Sequence, residues 1–127
     1  MQALVVDDSK ATRLILRHIL KQIGFEVVEA EDGRQGLEQL KQLSNPTIVL
    51  VDWNMPEMTG LDFIRAVRAD ATNRGLRLLM VSSEDVLEQI ATALEWGADG
   101  YLKKPFTKEL IREKLELLGL PLPIAHG

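Results

Sequence analysis

Five short apolar runs, each followed by a longer segment with helical spacing, constrain this chain more than any other feature. The runs are "ALVV" from Ala3, "FEVVEA" from Phe25, "TIVLVD" from Thr47, "LRLLMVS" from Leu76 and "GYLK" from Gly100. All are too short for independent helices and read as strands. Between them, small or apolar residues recur at i, i+3, i+4 and i+7. The sets are Leu16, Ile19, Leu20 and Ile23; Gly33, Gly36, Leu37 and Leu40; Gly60, Phe63, Ile64 and Val67; and Leu87, Ile90, Ala91 and Leu94. Ile111, Leu115 and Leu118 give a last helix the same face. Strands that are continuously apolar and separated by amphipathic helices predict a parallel sheet covered on both sides. Right-handed crossovers leave few topologies, and five units fall short of the eight needed for a closed barrel. The expected fold is an α/β, (βα)5 doubly wound open sheet.

Local punctuation agrees with that division. Gly24 stands where a glycine ends the first helix, and Asn45-Pro46 breaks the chain before the third strand. Thr59 with Asp62 resembles a capping box, and Thr107 is placed to cap the last helix. Phe106 and Ile111 have the spacing of a hydrophobic staple across that cap. The two prolines of "LPLPIAHG" exclude a helix through the tail. The expected organisation is one domain over residues 1–119, with 120–127 a flexible tail or the start of a linker. A chain of 127 residues suits a single core, and it contains no internal repeat.

Bulk properties exclude several classes of function. Cysteine is absent, which removes disulfides and thiolate metal sites and is compatible with a reducing cytoplasm. Fifteen Lys and Arg against nineteen Asp and Glu give a net charge of −4, so there is no electrostatic case for direct nucleic-acid binding. No apolar run approaches the roughly 20 residues that cross a bilayer, and "MQALVVDDSK" lacks the basic region of a signal peptide. Neither membrane insertion nor secretion is expected.

In an open α/β sheet, ligands bind outside the carboxyl ends of the strands, where the strand order reverses. Polar residues gather at those ends here. Strand one ends in Asp7-Asp8, strand three in Asp52, strand four in Ser82-Ser83 and strand five in Lys103-Lys104-Pro105. Each has an ordinary reading alone: Asp52 as a turn residue, Asp7-Asp8 as a helix cap, Ser82 as a strand end, the lysines as solvated. Their conjunction points to chemistry. Three carboxylates brought together repel one another and need a countercharge. Mg²⁺ supplies one, because it takes hard oxygen ligands and is held by one or two carboxylates plus phosphate oxygens. Lys104 could offset charge on a phosphoryl group, and Ser82 could donate a hydrogen bond to it. Asp52 could then attack phosphorus and become an aspartyl phosphate.

The motifs "VVDDS", "VDWNMPEMTGLDFIRAVRAD", "LLMVSSE" and "GADGYLKKPFT", in this order, make the chain similar to the receiver domain of bacterial two-component response regulators, most of all its single-domain chemotaxis members. The resemblance covers residues 1 to about 119. It implies a flavodoxin-like sheet in the order 2-1-3-4-5, and it assigns roles residue by residue. Asp52 matches the phosphoacceptor. Asp7 and Asp8, with Asp52 and the backbone carbonyl of Asn54, match the Mg²⁺ ligands. Ser82 matches the hydroxyl residue at the phosphoryl group, and Tyr101 the aromatic switch residue that turns inward with it. Lys104, rather than Lys103, matches the lysine of the site, because it directly precedes Pro105; that Lys104–Pro105 bond is cis in the family. Asn54 and Glu84 match the positions that tune dephosphorylation. The implied phosphodonor is a histidine kinase. The implied output is a protein target on the face formed by the fourth helix, fifth strand and fifth helix. Such a domain is a switch rather than an enzyme, catalysing only its own phosphoryl transfer and slow dephosphorylation.

Other classes fit less well. A phosphatase of the haloacid dehalogenase type needs a second Asp two residues after its nucleophile, where this chain has Asn54. A flavodoxin needs a Ser/Thr-rich phosphate loop after strand one, where "DDSKAT" places two anions. A receiver belonging to a larger regulator, with a separate DNA-binding or enzymatic output domain, remains an alternative. His18, within the first helix, reads as a solvated or packing residue rather than a phosphorelay group, and His126 lies in the tail.

Overall fold

Within each strand the unbroken apolar run divides by the two-residue period of a pleated chain, successive side chains entering opposite cores. The computed structural model describes residues 1–83, 87–120 and 122. Its strands are β1 (Gln2–Val6), β2 (Glu26–Ala30), β3 (Pro46–Asp52), β4 (Arg77–Ser82) and β5 (Gly100–Lys103). Its helices are α1 (Lys10–Ile23), α2 (Gly33–Gln42), α3 (Gly60–Ala69), α4 (Leu87–Trp96) and α5 (Lys108–Leu117), with a short 3₁₀ turn at Ala71–Asn73. The sheet is parallel throughout, in the order β2-β1-β3-β4-β5. Ala3, Val5, Ile48, Leu50, Leu79 and Val81 pack against α1 and α5. Leu4, Val6, Val49, Val51, Leu78 and Met80 pack against α2, α3 and α4.

The strand bounds move by a residue from the sequence reading. Pro46 opens β3 instead of preceding it, a position where the missing N–H costs no ladder bond. Capping follows side-chain chemistry. Ser9 accepts from the Thr12 amide at the start of α1, Asp32 from Gln35 at α2, and Thr107 from Leu110 at α5. Thr59 and Asp62 form a reciprocal capping box at α3. The cap of α1 thus falls to Ser9, which leaves both carboxylates of Asp7-Asp8 for other work. The two glycines that weaken α2 by propensity have a packing reason in Gly36: a Cβ there would lie 2.9 Å from both Val6 and Phe63, so the helix can seat closely on β1 and α3.

Four of the five expected helix faces are turned to the core. The fourth is not. Leu87, Ile90, Ala91 and Leu94 do not form the buried face of α4; Leu87 is 81% and Leu94 47% exposed, and the buried residue is Ala93. Contacts with α3 set this rotation. Arg65 lies over the Trp96 ring at 4.6 Å, and Arg68 donates to the carbonyl of Gly97, so the end of α4 is held with its small side chain toward the sheet. At the other end of the chain, Leu120 and Leu122 pack against the α1–α5 core beyond the expected domain boundary.

Candidate functional site

Parallel strands bring their carboxyl ends to one edge, and the order reverses between β1 and β3. Asp7 follows β1 directly and Asp52 ends β3, so the two flank that point. Asp52 is in register with Val81, and Ser82 with Lys103, which puts the ends of β4 and β5 alongside. Asp7 and Ser82 are each 1% exposed and Asp52 8%, while Asp8 is exposed. One carboxylate oxygen from each of Asp7, Asp8 and Asp52 lies within 4.8 Å of the others.

Lys104 supplies countercharge. Its Nζ donates to Asp7 Oδ2 at 3.2 Å and to Asp52 Oδ1 at 3.4 Å. Its backbone N–H donates to the carbonyl of Ser82 at 2.8 Å, and the Lys104–Pro105 peptide is cis. Lys103 ends β5 exposed. The other oxygen of Asp7 accepts from the Ser9 amide at 2.8 Å. Burial pushes the Asp52 carboxyl up to about 6, the negative charge of Asp7 adds to this, and Lys104 opposes it. The loop after β3 is tied back at both ends: Trp53 N–H donates to Val81 and its carbonyl accepts from Gly60 N–H. A Cβ at Gly60 would overlap the Asp52 carbonyl oxygen, so glycine is needed where α3 starts against the strand end.

The remaining expected residues are placed as follows. Asn54 lies exposed in the loop after β3, and Tyr101, in β5, is half-buried against the α2–α4 core. His18 is exposed on α1. Glu84 and His126 lie outside the described residues. Sequence reasoning passed over Arg13, which is buried and bonds to the Asp7 carbonyl. A signal was present, since Arg13 continues the Leu16, Leu20 and Ile23 face at helical spacing, and Glu29, next to the last residue of β2, offers a matching charge.

Three hard oxygen donors converging on one point, with no nitrogen or sulfur ligand among them, suit Mg²⁺ and could hold it. The same edge offers a buried nucleophilic carboxylate beside an ammonium and a hydroxyl. These are the parts that phosphoryl transfer requires.

The chain belongs to the response regulator receiver domain family, whose sequence profile matches residues 3–116. Within that family it is a CheY-like receiver. It is 43% identical over 117 residues to the chemotaxis protein CheY of Pseudomonas aeruginosa, covering 91% of this chain and 94% of that one. It is 40% identical over 119 residues to the chemotaxis protein CheY1 of Helicobacter pylori, covering 93% and 96%. Among solved structures, Vibrio cholerae chemotaxis protein CheY4 matches with a TM-score of 0.86 at 34% identity, over 91% of this chain and 96% of that one. A probable two-component response regulator/GGDEF domain protein matches with a TM-score of 0.85 at 31% identity, over 94% of this chain but 51% of its own.

Proposed function

We propose that this receiver is a phosphorylation-operated switch that accepts a phosphoryl group from a histidine kinase on Asp52. The observation that carries the reading is the Asp52 carboxylate at the sheet edge, beside Lys104 and within 4.8 Å of the Asp7 and Asp8 oxygens. At neutral pH a carboxyl titrating near 6 is largely ionised and nucleophilic. An Asp52 oxygen attacks phosphorus, the phosphorus–nitrogen bond of the donor phosphohistidine breaks, and the imidazole leaves with the electron pair. Asp7, Asp8, Asp52 and the Asn54 backbone carbonyl are the proposed Mg²⁺ ligands. When bound, the cation neutralises charge between these carboxylates and the phosphoryl oxygens.

Lys104 pairs with the phosphoryl group once it is attached, and Ser82 turns its hydroxyl toward it. Tyr101 follows into the space that Ser82 leaves. Asn54 and Glu84 tune the return by hydrolysis. The switch acts by binding a protein target differently in its two states, since modification moves an equilibrium only through such a difference. The proposed target face is α4–β5–α5, a reading supported by the outward leucines Leu87 and Leu94. Chemotaxis is the proposed setting, supported by the names of the relatives. Residues 1–119 are taken as the receiver, acting in the cytoplasm; no helix among the described residues is long and apolar enough to cross a membrane. The match to half of a longer regulator favours a second reading, a receiver coupled to a separate output domain.

Incubation with Mg²⁺ and acetyl phosphate should add one phosphoryl group by intact mass, and the Asp52→Asn variant should add none. Undiminished labelling of that variant would remove Asp52 from its role.

A further inference from the structure

Asp7, Asp52, Ser82 and Arg13 are the buried polar residues among those described, and the proposed reaction uses all but Arg13. A guanidinium that is 8% exposed must be paired to be tolerated. Arg13 Nη1 donates to the backbone carbonyl of Asp7 at 2.7 Å, a charge-assisted bond within the protein. Its Nε donates to Glu29 Oε1 at 3.3 Å. Glu29 is in turn held by Arg17, Nη1 to Oε2 at 2.8 Å, so the arginine is braced from β2 and from its own helix. The Asp7 N–H donates to Ala30 at the end of the same strand.

The Asp7 carbonyl belongs to the peptide that joins Asp7 to Asp8. Holding it fixes the plane from which both carboxylate-bearing residues project. For Asp8 this matters most, because its exposed carboxylate makes no hydrogen bond with the described residues. We propose that Arg13 is a positioning residue for the cation site: it locks the Asp7–Asp8 peptide and so presets two carboxylates for a divalent ion. The proposal rests on the reading of Asp7, Asp8 and Asp52 as Mg²⁺ ligands.

Charge and positioning act here with opposite signs. A guanidinium that were only a nearby positive charge would repel a cation, and removing it would tighten binding. Removing a group that presets the ligands loosens binding, because ordering them must then accompany it. The Arg13→Met variant should therefore bind Mg²⁺ about tenfold more weakly, in line with the loss of outer-sphere partners elsewhere. Arg13→Lys, which keeps one donor, should recover part of the affinity. Glu29→Gln, which loosens the brace, should weaken it less than Arg13→Met does.

Isothermal titration with MgCl₂ alone, on variants shown to be folded by urea melts, reads this without any phosphoryl transfer. Unchanged or tighter Mg²⁺ binding in folded Arg13→Met overturns the proposal. Should that variant fail to fold, Arg13→Lys and Glu29→Gln carry the test, and wild-type affinity in both overturns it. No Mg²⁺ binding by the wild type itself removes the cation site, and the role of Arg13 with it.

Discussion

Lys104 reaches across the sheet edge to Asp52, Nζ to Oδ1 at 3.4 Å, from two strands away in the order β3-β4-β5. The contact lowers the Asp52 pKa against the rise caused by burial and by Asp7, and the balance falls at about 6. Replacing the ammonium leaves the raising influences unopposed. In Lys104→Met without added metal, carboxyl-carbon NMR should find the Asp52 midpoint above the wild-type value of about 6. A midpoint at or below it would contradict the role given to Lys104.

Because Asp52 titrates higher in the folded protein than at its ordinary 3.8, the native state holds its proton over a range where the unfolded chain has released it. Relative to neutral pH, this favours the folded state fully below about pH 4, and the advantage is lost as pH rises through about 6 and the buried carboxylate ionises. At pH 7 in chelating buffer, Asp52→Asn should therefore be more stable than wild type by on the order of 2–3 kcal/mol. Urea denaturation across pH 4 to 7 measures it; the difference should grow with pH and vanish toward the acid end.

Arg68 ties three segments together. It donates to the carbonyls of Gly97 at 2.9 Å and Asn73 at 2.8 Å, and to Asp99 Oδ2 at 2.8 Å, which also accepts from Leu78 N–H. Arg68→Met leaves those acceptors without this donor and should cost about 2 kcal/mol. Hydrogen exchange at the Leu78 amide should accelerate beyond the global effect, since its own acceptor is released.

On α4, Leu87→Ser and Leu94→Ser should change stability by no more than about 0.5 kcal/mol, as exposed positions do. Ala93→Leu should cost about 1–3 kcal/mol by overpacking the side chain that faces the sheet. The helix pattern alone gives the reverse ranking, so urea melts of the three variants decide between the two orientations.

Glu57, in the loop between β3 and α3, adopts φ +66°, a left-handed conformation that costs a side-chain-bearing residue free energy. Glu57→Gly removes that strain and adds backbone freedom to the unfolded chain; the net gain should be up to about 1 kcal/mol. A loss of stability would show that the Glu57 side chain contributes more than its backbone costs.

The strands, four of the helix faces and the caps at Thr59 and Thr107 were legible in the sequence because each depends on neighbours a few residues away. The gathering of Asp7, Asp8, Asp52, Ser82 and Lys104 was also legible, since parallel order sends all strand ends to one edge. Tertiary structure alone decided how α4 is rotated, because α3's Arg65 and Arg68 hold its end at Trp96 and Gly97. It decided too that the Arg13 guanidinium meets the Asp7 carbonyl and that the Asp52 carboxyl titrates near 6. Those properties are sums over groups tens of residues apart, such as Lys104 on Asp52, and no local spacing encodes a desolvation or a packing angle.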